Sequence, residues 1–399
     1  MLVVYVGIYL LVTIGIGWYA ARRVRTATDY FAAGHSLPLY MNFATVFATW
    51  FGAETVLAVS STFLSEGLSG VVADPFGAAA VLVIVALFFA RPFYRLGLMT
   101  IGDFYRKRYN TTVEVGTGIA ITLSYLGWAS ANLVALGICF NVLSRGAIPI
   151  DAGIMLGAGV VVVYLLFGGM FAIAFTDLFQ TVIIVLGLLY IAAVLGGEAG
   201  GFSAVVSTAA AQGKFVMLPS LELREILALA AAFITMALGS IAQQDVFQRV
   251  TSARDETTAA RGTMLGGLFY LCFAFVPIFI AMSAFVIEPD MVRDMLAGDE
   301  NEFQLILPNL VLNHVSLAGQ VLFFGALLSA IVVPAAGHGF WAGGSTPGRY
   351  LVAGVPLLLV FALFAIERAW TRRWPAAAIV VLGLLSLESA VAYNQDHVK

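Results

Sequence analysis

Apolar runs of bilayer length follow one another along almost the whole chain, joined by short polar connections. A spanning helix needs ~20 residues. Eleven stretches approach or exceed that length: 2–21, 39–64, 70–94, 115–143, 152–168, 173–196, 225–247, 263–287, 316–333, 350–366 and 375–392. The longest polar connections, 197–224 and 288–315, are too short for an independent core. The pattern predicts an all-α polytopic membrane protein whose loops only join spans. One run is interrupted. Within 39–64, the stretch Ala48-Thr49-Trp50-Phe51-Gly52-Ala53-Glu54-Thr55 sets small and polar residues, one of them a carboxylate, at membrane depth. A charge there is costly enough that it marks function.

Composition agrees with this reading: 61% of residues are hydrophobic and 11% charged, against about 25% charged in soluble proteins. A net charge of −3 argues against nucleic acid as a partner and leaves the lipid bilayer as the surrounding medium. Cys139 and Cys272 lie in apolar runs and make no disulfide framework. The four histidines (His35, His314, His338, His397) lack metal-ligand spacing. No GxSxG, HExxH or P-loop occurs, and Gly116-Thr117-Gly118 has no strand–helix context, so neither an enzyme nor an organic cofactor is expected. No basic residue precedes the first apolar run, which reads as a retained helix.

Basic residues sort by loop. Arg22, Arg23, Arg25, Arg91, Arg95, Arg106, Lys107, Arg108, Arg249, Arg254 and Arg261 fall on one side of alternating spans, and Arg145, Lys214, Arg224 and Arg293 on the other. Eleven against four makes the first side cytoplasmic and the N-terminus extracytoplasmic in a cell membrane. The tail breaks the rule, because alternation puts Arg368, Arg372 and Arg373 outside.

The order of motifs is specific. Asp29-Tyr30-Phe31-Ala32-Ala33-Gly34-His35-Ser36-Leu37-Pro38 precedes Ala73-Asp74-Pro75-Phe76-Gly77 and Phe89-Ala90-Arg91-Pro92. Gly168-Gly169-Met170 leads into Phe175-Thr176-Asp177-Leu178-Phe179-Gln180, and Gln244-Asp245-Val246-Phe247-Gln248-Arg249 follows. From about residue 5 to 331 the chain resembles the sodium:solute symporter family. The resemblance implies an inverted-repeat (5+5) transporter core with an extra N-terminal helix, 2–21. The first repeat would be 39–196 and a partial second repeat 225–333. Solute and ion would meet near the midplane between discontinuous helices.

The resemblance also implies roles. The carbonyls of Ala48, Phe51 and Ala330 would ligate a coupling Na+; the alternative reading of Thr49, Gly52 and Thr55 is close helix packing. Thr55 and Asp74 match positions that face solute, although Asp before Pro75 also suits a turn or helix start. Glu54 either contacts solute or holds the broken helix by hydrogen bonds. Asp177 matches an ion exit path; an Asp at a helix head also offsets the dipole. The run Arg249, Arg254, Asp255, Glu256, Arg261 reads as a solvated loop, Gly153/Gly157 and Gly262/Gly266 as helix packing, and Trp50 and Trp128 as lipid-facing or core. The expected function is sodium-coupled symport of a small-molecule solute.

The second repeat departs from the family after residue 332. Where members carry two adjacent hydroxyl ligands, this chain has Val333 and Pro334. Losing two contacts of ~1.5–3 kcal/mol each weakens ion binding. Gly339-Phe340-Trp341-Ala342-Gly343-Gly344-Ser345-Thr346-Pro347-Gly348-Arg349-Tyr350 weakly resembles a late segment of membrane glycosyltransferases. Residues 334–399 are therefore expected to be an atypical, foreign or misjoined tail. A solute sensor, an inactive remnant and a membrane glycosyltransferase are the alternatives.

Overall fold

The computed structural model describes residues 1–167, 169–217, 222–297 and 303–342. The chain divides into two compact units, Met1–Ser345 and Thr346–Lys399, and every described residue lies in the first. The runs 350–366 and 375–392, and the tail beyond residue 342, lie outside the described residues.

Backbone polar groups inside a bilayer must be satisfied within the segment, which makes long helices the available solution. The apolar runs accordingly fold as helices. Helix α1 (Leu2–Ala21) buries Val6, Thr13, Gly17 and Ala20 and leaves its other faces open. Helix α2 (Leu39–Trp50) ends at Phe51, where φ −91 and ψ 89 leave the helical region. The chain resumes with a wide turn, Glu54–Val59, and α3 (Ser60–Glu66), bent by 56° from α2. The third span, Val72–Arg95, carries an extended residue, Asp74 (φ −133, ψ 121), near its start.

Helices α4 (Thr111–Leu143), α5 (Ile150–Phe167) and α6 (Met170–Glu198) follow. Then come α7 (Leu223–Gly239) and α8 (Gln244–Thr251), bent by 44°, and α9 (Glu256–Phe273) with α10 (Phe275–Ile287). After α11 (Ile306–His314), α12 (Leu317–Ala342) closes the described part.

Three boundaries differ from the sequence reading. The sixth run begins at Met170, so Asp177 sits two turns inside α6 rather than at its head. The seventh is a broken span, not one helix to residue 247. The polar connections contain helices of their own: Phe202–Ala211, Pro289–Leu296 and α11.

The two broken spans are held by close packing. Helix α2 lies between α9 and α6, and α12 lies against α6 and α4. A Cβ added at Gly266 would come within 2.5 Å of Val46 Cγ1, and one at Gly262 would strike Asn42 Oδ1. The Gly262/Gly266 spacing is thus the groove that admits α2. Rings seal the same contact: Phe47 lies 4.9 Å from Phe269 and Phe51 lies 5.2 Å from Phe273, centroid to centroid.

At one end of the bundle, His314 ties three helix ends together. Its Nδ1 is 2.6 Å from Glu198 Oε1 and its Nε2 is 2.6 Å from Glu288 Oε1. Asn313 Nδ2 donates to the same Glu288 oxygen at 3.1 Å. A carboxylate at each ring nitrogen favours the doubly protonated imidazolium. Burial opposes that charge, but contact with Glu288 and Glu198 outweighs it and raises the His314 pKa. The hydrogen bond from His314 lowers that of Glu288. A raised histidine stabilises the fold below its ordinary value of ~6.5 and loses that contribution as pH climbs through the folded value. A lowered glutamate loses its share as pH falls toward the acid range. His314→Ala should therefore cost ~1 kcal/mol at pH 6, solvent screening limiting the figure, and close to nothing at pH 9. Thermal unfolding in detergent at both pH values checks this, and equal losses at the two would reject it.

Candidate functional site

A helix that stops inside the bundle leaves carbonyls without their i+4 donors. Among the described residues, no backbone N–H reaches the carbonyl of Ala48 or of Phe51; the first bond across the break runs from Val56 N–H to Gly52 O, at 3.2 Å. Ala330 of α12 stands opposite, since a Cβ built on Gly52 would lie 3.8 Å from the Ala330 carbonyl oxygen. Gly52 and Ala330 line two spaces at once. One is a hollow of about 20 Å³ shared with Phe51, Val56 and Ala326. The other is a cavity of about 180 Å³ whose walls include Trp50, Glu54, Asp74, Tyr125, Gln243 and Asp245.

Both breaks deliver residues to this cavity. Trp50, Gly52 and Glu54 come from the α2–α3 break, and Ser240, Gln243 and Asp245 from the α7–α8 break. Asp74 comes from the extended residue of the third span and accepts a hydrogen bond from the Tyr270 hydroxyl. Thr55 is fully buried and does not reach the cavity wall; its Oγ1 lies 2.9 Å from the Tyr270 hydroxyl oxygen. Thr55 thus braces the tyrosine that holds Asp74, while Glu54 and Asp74 face the cavity directly.

The cytoplasmic-loop reading of Arg249 is corrected. Arg254 and Arg261 are exposed, but Arg249 is 3% exposed. Its Nε donates to Thr49 Oγ1 at 2.8 Å and its Nη1 to Gln248 Oε1 at 2.9 Å. It shares a small hollow with Asp245, which accepts from the Tyr125 hydroxyl at 2.8 Å. Asp177, 1% exposed, sits within the electrostatic reach of Arg249, and its Oδ2 has no hydrogen-bond partner among the described residues. The depth of Asp177 removes the dipole-offset reading of this residue. The side chains of Val333 and Pro334 lie outside the described residues.

Sequence reasoning missed Trp50, Tyr125, Gln243, Asp245, Arg249 and Tyr270 as members of the site. One signal was available. Ser240, Gln243, Gln244 and Asp245 interrupt an apolar run just as residues 48–55 do. Tyr270 carries no such mark, because its partners are 196 and 215 residues away.

Two helices broken at matching places around one cavity define a class of architecture. The molecule shares it with the substrate-bound outward-open state of a Na+-coupled sialic acid symporter, with a TM-score of 0.75 at 19% identity, covering 86% of this chain and 72% of that one. The fold is therefore the inverted-repeat transporter fold. The sodium:solute symporter family model matches residues 30–336, and the chain belongs to that family of multi-pass membrane proteins. It is 27% identical over 310 residues to the sodium/glucose cotransporter of Vibrio parahaemolyticus, which covers 73% of this chain and 56% of that protein. It is 28% identical over 310 residues to high-affinity choline transporter 1 of Torpedo marmorata, covering 76% and 52%. The chain spans about half the length of the curated relatives it matches.

Proposed function

We propose that the chain moves a small polar organic solute into the cell together with Na+, by alternating access. The observation that carries this reading is the break of α2 opposite Ala330. Hard cations take oxygen ligands, and the carbonyls of Ala48, Phe51 and Ala330 supply three. Pro334 bears on the third. In a helix running Leu317–Ala342, the donor for the Ala330 carbonyl would be the N–H of residue 334. Proline has none, so that oxygen is left for a cation. The same residue that replaces a hydroxyl ligand thus spares a carbonyl one.

Ion binding would steady the break, and Glu54 and Asp74 would meet the solute in the adjoining cavity. The unpartnered Oδ2 of Asp177 suits an inward exit path for the ion. Positive charge on the loops named above, Arg249 set aside as buried, supports an extracytoplasmic N-terminus. One charge falling through 100 mV supplies about 2.3 kcal/mol, and a tenfold sodium gradient adds ~1.4 kcal/mol. Together these sustain a solute gradient of several hundredfold.

Purified protein in liposomes tests the reading. An inward Na+ gradient should drive uptake of at least one solute among sugars, amino acids and quaternary amines. Asp177→Asn should slow that uptake about tenfold or more while radiolabelled Na+ still binds. Uptake indifferent to sodium defeats the symport reading, and solute binding without uptake supports a sensor instead.

A further inference from the structure

We infer that the solute taken by this cavity is an organic cation of the ammonium class; this rests on the symport reading above. Glu54 and Asp74 both line the cavity. Glu54 makes no hydrogen bond among the described residues and is open to the cavity. Asp74 has the Tyr270 hydroxyl on Oδ1. The third carboxylate, Asp245, accepts a hydrogen bond from the Tyr125 hydroxyl and shares a second hollow with Arg249. No Lys, Arg or His is among the described residues that line the cavity. Two carboxylates therefore face one small space without a fixed cation.

Charges interact strongly where water is scarce. A neutral solute would leave the two carboxylates opposed, and an anion would add to the repulsion. A solute bearing one positive charge offsets it. Two aromatic side chains, Trp50 and Tyr125, also line the cavity, and an ammonium over an aromatic face is attracted by the ring quadrupole. A cavity of about 180 Å³ is below the ~300–1,000 Å³ of drug-sized ligand sites. The solute is therefore small.

Equilibrium binding on the purified full-length chain tests the inference, with choline, tetramethylammonium and putrescine as cations. Dimethylbutanol, the uncharged carbon isostere of choline, glucose and acetate serve as controls. At least one cation should bind about tenfold or more tighter than the isostere. Glu54→Gln and Asp74→Asn should each shrink that ratio by about tenfold, with wild-type thermal midpoints and unchanged binding of radiolabelled Na+. The inference is overturned if the isostere, glucose or acetate binds as well as the cations, or if none of the three cations binds. It is also overturned if the carboxylate variants change Na+ binding and leave the ratio alone, which would make the pair an ion site. Loss of Na+ binding by the wild-type chain, with cation preference intact, would instead sink the symport reading only.

Discussion

With the coupling ion held at the proposed site, Gly52→Leu should abolish sodium-stimulated uptake and leave the chain folded. At this position a Cβ would meet the Ala330 carbonyl oxygen at 3.8 Å, an ordinary van der Waals contact, and among the described residues beyond the chain neighbours no other atom lies within 4 Å. Gly52→Ala should therefore be tolerated. The atoms beyond Cβ would extend toward the two spaces that Gly52 lines, the hollow of about 20 Å³ and the cavity of about 180 Å³. Either placement covers the oxygens of the break. Loss of the ion removes the whole coupling energy, which from the charge and gradient terms is ~3.7 kcal/mol. Concentrative uptake should fall by about a hundredfold or more. Initial rates in liposomes, radiolabelled Na+ binding and thermal midpoints separate the outcomes. A folded Gly52→Leu protein that still couples uptake to sodium would place the ion elsewhere.

The membrane fold was legible because the bilayer dictates it: a segment that meets lipid must be apolar and helical, and nine of the apolar runs correspond to helices or bent helix pairs. The break at Phe51 was legible for the converse reason. The residues alone also suited close helix packing, and the family resemblance tipped the reading toward a break. The second break, at residues 240–243, carried the same mark and was passed over because 225–247 reads as one apolar run and the run from Arg249 to Arg261 as a solvated loop. Burial of a charge is decided across the fold. Arg249 meets Thr49, 200 positions earlier, and no local pattern records that meeting. Asp177 shows how far a few residues matter. With the helix starting at Met170 instead of 173, a carboxylate assigned to a helix end becomes one enclosed in the bundle. Tyr270 is the extreme case, a hydroxyl on an apolar helix whose role appears only when Thr55 and Asp74 are brought to it.

Arg249 is the residue whose loss should cost the fold most. Its guanidinium joins Thr49 at the end of α2 to Gln248 on α8, so it spans both broken helices. Its charge also acts on Asp177 of α6, and Asp245 lies in the same hollow. Removing one partner of a buried charged network costs ~3–5 kcal/mol, because the remaining charges stay buried without compensation. Arg249→Ala should lower the thermal midpoint in detergent and the yield of folded protein accordingly. Arg249→Lys keeps the charge but offers a point rather than a planar fork, so it should hold one of the two contacts and recover part of the loss. Arg249→Met combined with Asp177→Asn removes the charge on both sides and should be more stable than Arg249→Met alone. Midpoints for the wild type, Arg249→Met, Asp177→Asn and the double variant form a cycle. Strict additivity in that cycle would show that the arginine and Asp177 do not sense each other, and would reduce Arg249 to a local clamp on Thr49.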